Sequence, residues 1–107
     1  MKNEIQGIKF MLSEGELFAQ LAEEASELAK AALKLRRVLD KTNPTPVSLG
    51  EAQDNMVEEI ADVLLCLHVM GYDPDSTKYL FMMQDKAEQW VKRLEDARKG
   101  NQDHGRN

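Results

Sequence analysis

The sequence predicts an all-α fold, a bundle of three long helices plus a short N-terminal helix that is completed by oligomerisation. Apolar residues recur at helical spacing through most of the 107-residue chain, and no stretch alternates apolar and polar residues for long enough to form a strand. The chain contains only six glycines and three prolines, and they cluster where helices should stop. These observations together favour helices that are separated by short breaks.

The first two predicted helices lie in the N-terminal half of the chain. A short helix is expected within residues 3–12, with Ile5 and Ile8 facing the core. Ser13 and Glu16 have the spacing of a capping box, in which the serine accepts a backbone amide and the glutamate reaches back, so the first long helix should begin there. A stripe of leucines then follows one face of this helix: Leu17, Leu21, Leu28, Leu35 and Leu39.

The second long helix is bounded by clear start and stop signals. Residues 42–46 should break the chain, because the two prolines in this segment cannot continue a helix interior. Ser48 and Glu51 have the spacing of a second capping box, and Gly71 is a natural helix stop. We therefore expect a helix from about residue 49 to residue 70.

The third long helix is predicted to begin at Asp73-Pro74, with the aspartate as N-cap and the proline at the first helical position. One face of this helix carries the apolar residues Leu80, Met83, Ala87, Trp90 and Leu94. We expect residues 1–100 to form the domain and residues 101–107, which are polar, to form a flexible C-terminal tail.

Length, charge and cysteine content exclude several classes of protein. A chain of 107 residues fits one domain, and the single cysteine, Cys66, cannot form an internal disulfide, which favours a reducing compartment. The net charge of −5 disfavours nucleic acid and membrane surfaces as partners. The longest apolar run, residues 60–70, is shorter than the ~20 residues of a bilayer span, and the first residues lead into no signal region. We expect a cytoplasmic protein.

Acidic residues at helical spacing are the most informative feature of the sequence. The first long helix carries Glu23, Glu24 and Glu27, of which Glu24 falls within the leucine stripe, Glu27 lies at its border and Glu23 turns toward solvent. On the second long helix, Glu59 and Asp62 share an edge of a segment that is apolar on most sides. Either group alone would most often be a solvated face, but a carboxylate within an apolar stripe is costly unless a cation or hydrogen bonds compensate it.

The donor set favours a hard cation, Mg²⁺ or alternatively Mn²⁺, because it consists of oxygens with no accompanying histidine or cysteine. A di-iron bundle would require Glu-x-x-His motifs, but the residue three positions before His68 is Leu65, so that interpretation fails. His68 is interpreted as a core or edge residue. The expected metal ligands are Glu24, Glu27, Glu59 and Asp62.

The motifs Glu23-Glu24-x-x-Glu27 and Glu59-x-x-Asp62, with their flanking residues 21–29 and 58–65, resemble the signature of the MazG-like nucleotide pyrophosphohydrolases of the all-α NTP pyrophosphatase superfamily. The resemblance extends over about residues 5–95 and includes the order of the helices. It implies Mg²⁺-dependent hydrolysis of (deoxy)nucleoside triphosphates to a nucleoside monophosphate and pyrophosphate, with the metal held by the four carboxylates named above. It also implies a homodimer or a dimer of dimers.

The same resemblance implies a substrate contact on the third long helix. Family members place a lysine and a later arginine where they meet the phosphates, and Lys86 and Arg93 match these positions. The family commonly has an asparagine four residues after the lysine, whereas this chain has Trp90, which either stacks on a base or packs in the core. Arg36 and Arg37 are expected to be surface charges.

The expected mechanism is direct attack by metal-activated water. A triphosphate carries about four negative charges, so an acidic pocket would repel it unless divalent cations bridge the two. Glu24 or Glu27 would take the proton of the water, and Cys66, within an apolar run, is expected to be structural. Two alternatives stay open: a non-catalytic helical interaction domain with an acidic face, and a phosphoribosyl-ATP pyrophosphohydrolase on the same fold.

A partner subunit is also favoured by the second long helix itself. Residues 57–70 are apolar on nearly every side, which is more apolar surface than a small monomer covers.

Overall fold

Four α-helices make up the protein. The computed structural model describes residues 1–42 and 46–105, and its helices are α1 (Lys2–Met11), α2 (Glu14–Asp40), α3 (Leu49–Met70) and α4 (Thr77–Gly105). No strand occurs within these described ranges. The predicted all-α class, with three long helices and one short N-terminal helix, is confirmed.

The start and stop signals act where the sequence indicates. The Ser13 hydroxyl accepts the backbone amide of Glu16 at 3.1 Å and the Glu16 carboxylate accepts the amide of Ser13 at 3.3 Å, which confirms the first capping box. At the second predicted capping box, the Ser48 hydroxyl accepts the amide of Glu51 at 3.1 Å, which is the serine half of the motif. Gly71 ends α3 at a φ of 83°, a left-handed conformation that glycine adopts without steric cost.

The predicted break between α2 and α3 is confirmed in position. The helix α2 ends at Asp40, and its C-cap residue Lys41 has a φ of 56°. Residues 43–45, which include one of the two prolines of the break, lie outside the described residues, and α3 begins at Leu49.

The start of α4 differs from the sequence prediction. Asp73 and Pro74 do not start the helix, because Pro74 and Asp75 form a turn and α4 begins at Thr77. The carbonyl of Ser76 accepts hydrogen bonds from the amides of Tyr79 and Leu80, so the hydrogen bonding of α4 begins at Ser76. At the other end α4 continues to Gly105, past the predicted domain end at residue 100, while residues 106 and 107 of the predicted tail lie outside the described residues.

Residues 1–73 form one compact unit, in which α2 packs along α3 and α1 packs on α3. Leu17 near the start of α2 lines the same cavity as Val69 near the end of α3, and Lys34 lines another cavity with Asn55 near the start of α3. The helices α2 and α3 are therefore antiparallel. The core lies along this pair, where three residues are only 2% exposed: Ala31, Ala52 and Val69.

The predicted leucine stripe lies on the packed side of α2 for most of its length. Four of its members are half-buried: Leu17, Leu21, Leu28 and Leu35. Leu39, in the last turn of α2, is 59% exposed. In α1, Ile5 and Ile8 are half-buried, as expected.

The second unit contains α4. Its predicted apolar face is exposed, with Trp90 at 63% and Leu94 at 58%. Within the second unit, the described residues do not bury Trp90. None of the described helices combines the length and apolarity that crossing a bilayer requires.

Candidate metal centre

Three carboxylates from two helices converge in the first unit. Glu24 of α2 and Glu59 and Asp62 of α3 each place one carboxylate oxygen within 4.8 Å of the other two, and all three residues are half-buried. Glu59 and Asp62 are neighbours because they are three residues apart on one helix. Glu24 joins them because the antiparallel packing of α2 on α3 brings the middle of each helix together. We call these three residues the carboxylate triad.

A hydrogen bond within α2 orients Glu24. The Gln20 side-chain amide donates from Nε2 to Glu24 Oε1 at 2.8 Å, one turn before the glutamate. Glu24 lies between Leu21 and Leu28 on the packed side of α2, as its place in the leucine stripe predicts. Glu23 is exposed, which agrees with its predicted outward direction.

The charges of the triad oppose one another. The pKa of Glu59 is raised above its ordinary value of 4.5, first by loss of hydration and then by the negative charges of Asp62, Glu24, Glu27 and Glu58. A cation would remove this repulsion, and oxygen donors without histidine or cysteine suit a hard divalent cation. The three residues of the triad therefore suit a divalent metal ion.

Glu27 lies at the edge of the triad rather than in it. The side chain is exposed, and its Oε1 pairs with Lys30 Nζ at 3.3 Å. Its charge nevertheless contributes to the raised pKa of Glu59, so the two carboxylates are electrostatic neighbours. The structure thus brings together three of the four predicted ligands and leaves the fourth beside them.

Cys66 and His68 lie on α3 beyond the triad. Loss of hydration, followed by the charges of Glu24 and Asp62, raises the pKa of the Cys66 thiol. A thiol with a raised pKa is a poor nucleophile at neutral pH, in agreement with the expected structural role. His68 is half-buried and is not a member of the carboxylate group.

Two cavities adjoin the triad from opposite ends. The first, of about 270 Å³, includes Glu24 and Asp62 and is otherwise mainly apolar, with α1 contributing Ile8. We call it the apolar cavity; its other lining residues are Leu12, Leu17, Gln20, Leu65, Cys66 and Val69. The second, of about 420 Å³, includes Glu27 and Glu59. We call it the basic cavity, because three cations line it: Lys30, Lys34 and Arg37.

The sequence analysis did not identify the basic cavity. Arg37, expected to be a surface charge, is half-buried and lines it, whereas the neighbouring Arg36 is exposed as expected. The difference arises because consecutive residues on a helix point about 100° apart, and only Arg37 faces the side that packs on α3. The sequence did contain an indication of this cavity, because the spacing of Lys30, Lys34 and Arg37 places all three on one face of α2.

The predicted substrate-binding residues of the second unit share one face of α4. Lys86, Trp90 and Arg93 line a single surface depression, together with Met83, Ala87 and Gln89. The arrangement combines two cations with an exposed indole ring. A role in substrate binding stays a prediction.

A comparison with protein families identifies the chain. The family description "MazG nucleotide pyrophosphohydrolase domain" matches residues 12–98, a range that includes the carboxylate triad, Glu27 and the three α4 residues. Searches of curated proteins and of solved structures gave no significant match. The match covers well over half of the 107 residues, and its acidic motifs form the observed triad, so the chain belongs to the MazG nucleotide pyrophosphohydrolase family.

Proposed function

We propose that this protein hydrolyses (deoxy)nucleoside triphosphates to a nucleoside monophosphate and pyrophosphate, with Mg²⁺ as the cofactor and Mn²⁺ as a substitute. The observation that carries the proposal is the convergence of Glu24, Glu59 and Asp62 within 4.8 Å in a chain of this family. One water is consumed for each triphosphate, and no other reactant is needed. Nucleoside triphosphates are abundant in the cytoplasm, the compartment that we propose for the protein.

The need for a cation follows from the charges of enzyme and substrate. The chain has a net charge of −5, and its triad repels phosphate oxygens, so binding and turnover both depend on a divalent ion. When bound, the ion supplies Lewis acidity that neutralises phosphate charge and polarises a water molecule. The ligands that we assign are the triad residues, with Glu27 as the fourth carboxylate of the predicted set.

Glu27 is also suited to accept a proton. It lies beside Glu59 but outside the triad, and its hydrogen bond to Lys30 uses Oε1 and leaves Oε2 available. A carboxylate in this position accepts the proton that the attacking water loses. Glu24, which accepts a hydrogen bond from Gln20 and belongs to the triad, is the other candidate for this role.

We assign the α4 residues to the substrate as the family resemblance implies. Lys86 and Arg93 would bind the phosphate chain, because both are basic residues and lie on one face of α4. Trp90 lies between them on that face and is exposed, as a side chain that stacks on a nucleobase must be.

A second copy of the chain is part of the proposal. On α3, Val57 is 66% exposed, and Ile60 and Leu64 are each 39% exposed. These residues are three and four positions apart, so they form an apolar strip along one face of the helix. Burial of this strip in a homodimer or a dimer of dimers would remove it from water.

The proposal is tested with a panel of NTPs and dNTPs in the presence of Mg²⁺. We expect equimolar monophosphate and pyrophosphate, and we expect a chelator to abolish turnover. Asp62→Asn should abolish activity, whereas the matched control Asp54→Asn, an exposed aspartate on the same helix, should not.

Three other outcomes would contradict the proposal in different ways. Release of orthophosphate with a diphosphate product would refute the assigned bond. Exclusive cleavage of phosphoribosyl-ATP would assign the histidine-synthesis reaction instead. An absence of turnover and of any effect of Mg²⁺ would favour a non-catalytic interaction domain.

A further inference from the structure

The basic cavity brings positive charge beside a site that is otherwise acidic. Lys30, Lys34 and Arg37 follow one another at i, i+4 and i+7 along α2, and Asn55 faces them from α3. The cavity measures about 420 Å³ and includes Glu59, a member of the carboxylate triad. Cations and metal-ligating carboxylates therefore line one continuous space in the first unit.

Two of the three cations form no ion pair with the residues that the structure describes. Lys30 pairs with Glu27 at 3.3 Å, and outside the cavity Arg36 pairs with Asp40 at 3.3 Å. Within residues 1–42 and 46–105, no ion pair involves Lys34 or Arg37, although both side chains are half-buried. Loss of hydration without a compensating partner is unfavourable for a charged group. An anion in the cavity would provide that partner.

The two cavities on either side of the triad differ in their chemical character. The apolar cavity includes Glu24 and Asp62 and extends toward α1, whereas the basic cavity includes Glu59 and extends toward the end of α2. The two ends of a nucleoside triphosphate differ in the same way, with an apolar base at one end and charged phosphates at the other. Lys34 lies about 10 Å along the helix axis from Glu27, and both residues line the basic cavity.

We propose that the basic cavity is the subsite for the two terminal phosphates, which leave as pyrophosphate, with Lys34 and Arg37 as the charged donors and the Asn55 side-chain amide as a neutral one. The inference rests on the proposed function and adds to it a phosphate site whose residues belong to α2 and α3. Arg37 presents a planar guanidinium that binds phosphate oxygens in pairs, and Lys34 provides a compact charge.

The test measures binding of inorganic pyrophosphate to the full chain by calorimetry in the presence of Mg²⁺. We expect Lys34→Gln and Arg37→Gln each to raise the Kd by about tenfold, the size of one charge-assisted hydrogen bond. The control Arg36→Gln removes the same charge from an exposed position and should change the Kd less than twofold. Lys34→Arg keeps the charge and should retain its affinity for pyrophosphate within about threefold. Retained affinity in this variant would show that the loss in Lys34→Gln comes from the missing charge and not from unfolding.

A nucleoside monophosphate serves as the second ligand, because it lacks the terminal phosphates. Its affinity should be the same in the parent, Lys34→Gln and Arg37→Gln. Unchanged pyrophosphate affinity in both glutamine variants, or an equal loss of affinity for monophosphate and pyrophosphate, would overturn the assignment.

The outcome can be separated from that of the proposed function. If the protein hydrolyses triphosphates but its affinity for pyrophosphate does not depend on Lys34 and Arg37, the proposed activity is supported and the subsite is rejected. Charge-dependent pyrophosphate binding without turnover of any triphosphate would reject the activity and show that the basic cavity is a pyrophosphate-binding site only.

Discussion

Replacement of Glu24 by glutamine separates a metal site from an ordinary acidic surface. The substitution removes one negative charge from the carboxylate triad and keeps the shape of the side chain. It also keeps a carbonyl oxygen that can accept the 2.8 Å hydrogen bond from Gln20. The change in stability of the metal-free protein should therefore come from the lost charge. We expect the metal-free Glu24→Gln protein to melt at a higher temperature than the metal-free parent.

The magnitude follows from the distances within the triad. With Asp62 alone, at the upper limit of 4.8 Å between their carboxylate oxygens, the charge of Glu24 is repelled by about 0.9 kcal/mol even at the dielectric constant of water. For a domain of this size that energy corresponds to a rise in Tm of about 4–7 °C. Mg²⁺ at a concentration of ~100 Kd would stabilise the parent by about 2.7 kcal/mol, whereas the variant, with one ligand fewer, should gain much less.

Thermal unfolding followed by circular dichroism, with chelator and with Mg²⁺, measures both effects. Glu23→Gln is the matched control, since it removes the same charge from the adjacent, exposed position of α2. It should leave the metal-free Tm and the response to Mg²⁺ close to those of the parent. A metal-free Glu24→Gln protein that melts below its parent, with both proteins indifferent to Mg²⁺, would refute the reasoning.

Three further predictions concern pH, substrate binding and assembly. The pKa of Glu59 is raised above 4.5 in the folded state, so the folded protein binds this proton more tightly than the unfolded chain does. The metal-free parent should therefore be less stable than metal-free Glu59→Gln at pH 7, and the difference should shrink as the pH falls through the pKa of Glu59. A difference in stability that is constant between pH 7 and pH 4 would contradict this prediction. Lys86→Ala should raise KM or lower kcat in the triphosphate assay and leave the helical circular dichroism unchanged. Lys92→Ala, a control outside the α4 depression, should change neither KM nor kcat. Full activity of Lys86→Ala at low substrate concentration would reject the phosphate contact. Light scattering should give a mass of at least twice the 12.2 kDa of one chain, and a monomer mass in dilute solution would exclude the proposed assembly.

Interactions between residues close in the chain were predictable from the sequence. The capping box of Ser13 and Glu16 and the stop at Gly71 depend on residues a few positions apart, and the structure has both. The same is true of Glu59 and Asp62, whose proximity follows from the helical repeat. The start of α4 shows the limit even of local signals: Asp73-Pro74 and Ser76 both suit a helix start, and the hydrogen-bond register begins at Ser76.

The leucine stripe predicted which side of α2 is packed, but only the tertiary structure decided which residues of α3 that side meets. Glu24 and Glu27 are both acids of the same motif, yet Glu24 joins Glu59 and Asp62 while Glu27 pairs with Lys30. The choice depends on how α2 is rotated about its axis against α3, and this rotation is set by the packing of the leucine stripe and of the buried Ala31.

The same rotation separates Arg37, in the basic cavity, from Arg36, which pairs with Asp40 at the surface. A helical repeat states which residues of one helix share a face. It does not state which residues of another helix that face will meet, because that depends on contacts between residues far apart in the chain, and such contacts are decided by the shape of the packed side chains.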